Sequence, residues 1–95
     1  MKDIAELTKQ LGNKDTQLRR SAVELLGSTK DETVIDAIIP ILKDENRFVR
    51  QEAVLALKKI GGSRAIEHLT QALDTEKNEL VIDFIKNTLE RLQRK

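Results

Sequence analysis

Few side chains in this 95-residue chain are of a type that does chemistry, and their spacing does not bring them together. His68 is the single histidine and cysteine is absent, so neither a Ser-His or Cys-His nucleophile pair nor a His/Cys metal cluster is supported. His68 stands in Ile66-Glu67-His68-Leu69, beside the apolar positions of a helical pattern, where a boundary histidine is the simplest account. Carboxylates are plentiful, yet helical spacing spreads them over solvent faces and singles out no pair in a pocket. Gly61-Gly62 lacks the rest of a phosphate loop and reads as a helix end. The chain is expected to be no enzyme, with no catalytic residue, metal ligand or cofactor, and function is sought in its surfaces.

Those surfaces must be held by an aliphatic core, because the chain has two Phe, one Met and no Trp or Tyr. A domain of this size buries about two-thirds of the surface its unfolded chain exposes, which leaves a modest stability margin. The 17 basic and 16 acidic side chains give a net charge of +1, so no global field draws the chain toward nucleic acid or anionic lipid. The N-terminus opens directly in an amphipathic pattern with no secretory-signal composition. The longest mostly apolar stretch, Val34 to Leu42, contains Asp36 and is too short to span a bilayer. The expectation is a cytoplasmic protein with no membrane contact.

The positioning elements follow from an internal repeat. Leu18, Arg19, Ala22, Val23 and Leu26 recur at a constant offset as Val49, Arg50, Ala53, Val54 and Leu57, with Asp15 matched to Asp44 at an offset shorter by two. A third copy, its offset longer by one, places Val81, Ile85, Leu89 and Leu92 opposite Val49, Ala53, Leu57 and Ile60. Between the copies lie shorter apolar runs at spacings of three and four, the mark of one helix face. Asp15, Asp31, Asp44, Ser63 and Thr75 stand where N-caps belong, and Gly12, Gly27 and Gly61-Gly62 where helices end. The pattern predicts six helices over 2–11, 16–27, 32–42, 46–60, 64–73 and 78–93, with no strand, and Pro40 is expected to kink the third or shorten its last turn.

The run Val49-Arg50-Gln51-Glu52-Ala53-Val54-Leu55-Ala56-Leu57-Lys58-Lys59-Ile60-Gly61-Gly62, followed by Arg64-Ala65-Ile66 and Leu69, resembles the HEAT-like repeats of the phycobilisome-lyase type, and Leu18 to Gly27 is similar. In the third copy Ile82 replaces the repeat Arg and Ile85 the small Ala. The resemblance implies an all-α fold, a short right-handed alpha-alpha solenoid of three hairpins over about 1–28, 29–61 and 62–95. It also implies that Arg19 and Arg50 pair with the loop carboxylates Asp15 and Asp44 in a ladder joining neighbouring repeats, in preference to serving as anion ligands. One HEAT-like enzyme family, deoxyhypusine hydroxylase, binds iron through His-Glu pairs. The closest positions here hold Gln51-Glu52 and Arg20-Ser21, which are not those ligands.

On a helical wheel of about 100° per residue, Val49, Ala53, Ala56, Leu57 and Ile60 form a central stripe, with Phe48, Glu52 and Leu55 on one flank and Val54 on the other. The first flank is polar only in repeat one, as Gln17, Ser21 and Glu24, where the third has Leu80, Phe84 and Asn87. The second reads Val23, Val54 and then Lys86. This pattern predicts a self-contained, monomeric three-repeat unit.

The inner strip of such a stack is the expected partner-binding surface. The wheel places Thr16, Arg20, Arg47, Gln51, Lys58, Glu79, Asp83 and Glu90 there, cationic in the first two repeats and acidic in the third, a layout suited to a protein segment with its own charge gradient. Binding a nucleic-acid backbone through Arg19, Arg20, Arg47, Lys58 and Lys59 is the rival class, disfavoured by balanced charge, an acidic third repeat and few aromatic side chains. An accessory role of the phycobilisome-lyase type, handling a tetrapyrrole or its protein, is a third reading, and three short hairpins leave it little cavity.

Overall fold

Asn and Asp residues start most of the helices, and their side chains show why. The computed structural model describes residues 3–94 and, among them, contains six α-helices and no strand: α1 (Ile4–Gln10), α2 (Thr16–Ser28), α3 (Ile35–Ile38), α4 (Arg47–Ile60), α5 (Ser63–Ala72) and α6 (Glu79–Gln93). Lys2, the expected first residue of helix one, lies outside the described residues. Asp3, Asp15, Asn46 and Asn78 accept backbone N–H bonds at the starts of α1, α2, α4 and α6, each satisfying donors that the first turn leaves unpaired.

Three expected caps move. Asp44 gives way to Asn46 because its carboxylate is engaged elsewhere. Thr75 gives way to Asn78, and α5 begins at Ser63 itself after Gly62. The register explains the first shift. Asn13, Asp44 and Glu76 are the true equivalents, set apart by the same offsets as the apolar positions. Each accepts the backbone N–H of the following cap residue, Asp15, Asn46 or Asn78, at 2.8, 2.9 and 3.1 Å.

The third segment is broken more deeply than a kink. Short 3₁₀ turns, Glu32–Val34 and Ile39–Lys43, flank the single α-turn of α3. Pro40 offers no amide and its ring crowds the carbonyl one turn back, so the chain tightens to i→i+3 bonding around it. The buried Val34, Ile35, Ile38 and Leu42 still reach the core.

The expected glycine roles also divide. Gly61 and Gly62 adopt φ of 72° and 91°, conformations that are cheap only for glycine. Gly12 has no positive φ, and the left-handed residue after α2 is Lys30. Gly27 lies inside α2, where its missing side chain admits Ala56 of α4: a β-carbon there would stand 2.7 Å from the Ala56 Cα.

α4 is the centre of the stack. It touches α2, α6, α3, the second 3₁₀ turn and α5, and its Val49, Ala53, Val54, Ala56 and Leu57 are at most 1% exposed. Cα extents of 34 × 27 × 15 Å describe a slab two helices thick, given helix axes about 8–10 Å apart. Val23 and Val54 are buried and Lys86 is exposed, as the second flank predicts. Gln17, Ser21 and Glu24 of the first flank are exposed, but the central stripe of repeat one is not fully covered: Leu18 and Leu25, equivalents of the buried Val49 and Ala56, are 42% and 43% exposed. The outer side of α2 is therefore apolar as well as polar, because no described helix covers it as α2 covers α4.

Candidate surface for partner recognition

Two arginines that could bind anions are withdrawn from the surface by the fold. Arg19 donates through Nε to Asp44 at 3.0 Å and through a terminal nitrogen to the other Asp44 oxygen at 3.2 Å. Its remaining nitrogen donates to the carbonyls of Asn13 and Lys14. Arg50 repeats the pattern, with Nε to Glu76 at 2.9 Å and a terminal nitrogen to the Asp44 carbonyl at 2.8 Å. The ladder thus runs forward, each Arg reaching the loop of the next repeat. Asp15 serves only as a cap, and Glu76 takes the partner's place for Arg50 that the sequence assigns to Asp44. Fork-shaped guanidinium bonds to a carboxylate and two carbonyls join neighbouring loops at low exposure.

The surface left available is the side of α2, α4 and α6 turned away from the core. Equivalent positions of the three repeats form rows across the three helices. One row is Gln17, Phe48 and Leu80; the next is Arg20, Gln51 and Asp83; a third is Thr16, Arg47 and Glu79. Arg20, Arg47, Gln51 and Lys58 are half-buried, while Glu79, Asp83 and Glu90 are exposed. Lys58 and Glu90 both line a groove between α4 and α6, of about 410 Å³, together with Phe84 and Thr88. The cations of this set are thus the less exposed members and the carboxylates the more exposed ones.

Two residues missed by the strip dominate it. Phe48 is 46% exposed and Leu80 60%. The Arg47 guanidinium carbon lies 4.7 Å from the centroid of the Phe48 ring and that of Arg20 lies 5.8 Å away, within cation–π range. The signal that would have found them is the buried arginine. Arg19 is only 7% exposed, so the buried arc of the helix extends toward the Arg position, which the wheel treats as polar. Recentred in that way, the arc lies nearly opposite Gln17, Phe48 and Leu80.

Beside this row, Gln17, Arg20, Ser21, Glu24 and Glu52 line a groove of about 230 Å³ between α2 and α4. Burial raises the Glu52 carboxyl above the ordinary glutamate range, and Glu24 adds to the shift while Arg20 and Lys59 oppose it. The Arg20 Nε and Glu52 Oε2 are both buried without a hydrogen-bond partner, so this pocket is electrostatically unsettled. His68 is half-buried elsewhere, in a groove with Ile39, Leu42 and Gln71. Among the described residues no three His, Asp or Glu side chains are grouped to hold a metal, and no helix is long and apolar enough to cross a membrane.

The chain is similar to epoxyqueuosine reductases. It is 37% identical over 79 residues to the Bacillus cereus protein and equally so to that of Bacillus anthracis, in each case covering 82% of this chain and 21% of the relative. Against the Listeria monocytogenes protein it is 36% identical over 66 residues, 68% of this chain and 17% of the relative. It spans about a fifth of the length of these curated relatives. The pattern of HEAT repeats matches residues 4–86, and with helical hairpins stacked through an Arg-carboxylate ladder over that same stretch, the chain belongs to the HEAT-repeat family.

Proposed function

We propose that this chain is a non-catalytic binding module that captures a protein segment on the outer face of α2, α4 and α6, acting in the cytoplasm as a monomer. The reading takes the stack to be right-handed and this face to be its concave side. One observation carries it: Phe48, a large aromatic side chain, stays 46% exposed between two arginines. Aromatic and Arg side chains are enriched where interfaces concentrate their binding energy.

Similarity to a fifth of an epoxyqueuosine reductase does not bring the reduction with it. A chain without cysteine and with one histidine fits a recognition role beside such chemistry better than the chemistry itself. Nucleic acid is the second reading, favoured by the same exposed ring among guanidinium groups, since bases stack on such platforms. Exposed Glu79, Asp83 and Glu90 oppose it.

The test is capture from native lysate by wild-type chain and by an Arg20→Glu/Arg47→Glu variant, paired with a mobility-shift assay on generic single- and double-stranded DNA and RNA. The expected result is a discrete protein retained by wild type and lost, about tenfold or more, by a variant that still folds. A salt-sensitive nucleic-acid shift abolished by the same substitutions would transfer the function to the second reading.

A further inference from the structure

The rows across the three helices define a ligand more closely than a binding face does. Arg20 and Asp83 occupy the same position on α2 and α6, with Gln51 between them, and Arg47 and Glu79 do so on α4 and α6. Each of these two rows thus carries a cation on the α2 or α4 side and a carboxylate on α6. Phe48 and Leu80 form the exposed apolar row alongside.

Adjacent helix axes stand about 8–10 Å apart, so Arg20 and Asp83 are separated by about 16–20 Å across the face. An extended or polyproline-type chain advances about 3.1–3.3 Å per residue, and covers that span in about six residues. Resting on the proposed protein-binding role, we infer that the partner is an extended segment crossing the helices, with a carboxylate and a cation about six residues apart and an apolar side chain between them. The carboxylate meets Arg20 and Arg47, the apolar side chain lies on Phe48 and Leu80, and the cation meets Asp83 and Glu79.

Other occupants fit less well. A second copy turned about an axis along α4 pairs Arg20 with Asp83, but it sets Arg47 and Lys58 against their own copies. A uniform polyanion is repelled by Glu79, Asp83 and Glu90, and a uniform polycation by Arg20, Arg47 and Lys58. Only a segment of alternating sign satisfies both ends, and its charges need desolvate little because Asp83 and Glu79 are exposed.

Fluorescence anisotropy with labelled synthetic decapeptides tests this on the full chain. One peptide places Asp and Lys six residues apart around a central Leu. A second has the same composition with the charges two apart, a third carries Asp at both ends, and a single-stranded oligonucleotide is the fourth probe. The six-apart Asp/Lys peptide should bind about fivefold tighter than either other peptide, the worth of one well-placed surface charge pair. Asp83→Arg, at an exposed position, should transfer that preference to the peptide with two Asp ends, and Phe48→Ala should release all of them.

If Phe48→Ala releases the peptides but neither spacing nor Asp83→Arg changes their ranking, the face binds protein and the inferred chemistry is wrong. If no peptide binds and the oligonucleotide does, the protein-binding reading falls with it. Circular dichroism of each variant separates lost binding from lost fold.

Discussion

Between α2 and α4 the helices meet backbone to backbone at Gly27 and Ala56, whereas the equivalent positions between α4 and α6 are Lys58 and Thr88. The lip of the first junction is polar, with Glu24 facing Glu52. The matching residues of the second, Leu55 and Phe84, are apolar. Both junctions share one ladder, Arg19 to Asp44 and Arg50 to Glu76. One repeat plan thus tolerates two kinds of contact: a close crossing that needs a missing side chain, and a wider one that leaves a groove beside Lys58 and Glu90. The first junction has no room at Gly27 and Ala56 and only a smaller, polar groove at its lip, whereas the second holds the larger groove beside Lys58 and Glu90.

The largest break in that contrast comes from Gly27→Ala. On an isolated helix this change gains about 1 kcal/mol. Here the new methyl carbon would lie 2.7 Å from both the Cα and Cβ of Ala56, so the junction must open, at a net cost of about 2 kcal/mol, and Gly27→Val should cost more. Lys58→Ala, at the matching position of the second junction, should stay within about 0.5 kcal/mol of wild type. Urea unfolding of the three variants measures this directly. Equal stability of Gly27→Ala and Lys58→Ala would erase the distinction between the junctions.

The ladder provides the next step down. Asp44→Ala leaves the Arg19 guanidinium, whose side chain is 9% exposed, without its carboxylate. Glu45 and the carbonyls of Asn13 and Lys14 still contact that guanidinium, so the change should cost about 1 kcal/mol, part of it through the loop that Asp44 orders at the Asn46 amide. Arg50→Ala leaves Glu76, whose side chain is only 5% exposed, to bond only the Asn78 amide, and should cost more, about 1.5 kcal/mol. Thermal melts of both variants rank them. The reverse order would mean that the first junction, not the second, depends more on its ladder.

These features are legible in the sequence to different depths. Helix positions follow from apolar spacing, since that spacing is itself the cause of helix burial. The third segment escapes it because Pro40 acts on backbone bonding over a whole turn, which an apolar pattern does not register. The ladder is displaced by one partner. Matching Asp15 to Asp44 departs from the offset that the apolar positions keep, and holding that offset pairs Asn13 with Asp44 and so with Glu76. Gly27 resembles a terminator because a glycine near a helix end has two uses, and only the neighbouring helix decides between them. Phe48 and Leu80 fall on a flank of the wheel when the arginine of each repeat is counted as solvated, yet Arg19 is buried by its own ladder bonds.

The smallest effect tests the polar lip of the first junction. Glu52 is raised above the ordinary glutamate value, first by burial and then by Glu24. A carboxyl whose folded value is raised favours the protonated fold. Its contribution is present below the unfolded value and is lost as pH rises through the folded one, so at neutral pH the ionised Glu52 is a slight liability. Glu52→Gln should therefore make the chain modestly more stable at pH 7. It should also remove the loss of stability that Glu52 contributes as pH rises from the ordinary glutamate range toward neutrality. Gln keeps the shape and removes the charge facing Glu24, whereas at the second junction Asn87→Ala, with no buried carboxylate nearby in its row, should leave the pH profile unchanged. Parallel wild-type and Glu52→Gln profiles across pH 4 to 7 would show that Arg20 and Lys59 already neutralise the lip, and the two junctions would then differ only in their packing.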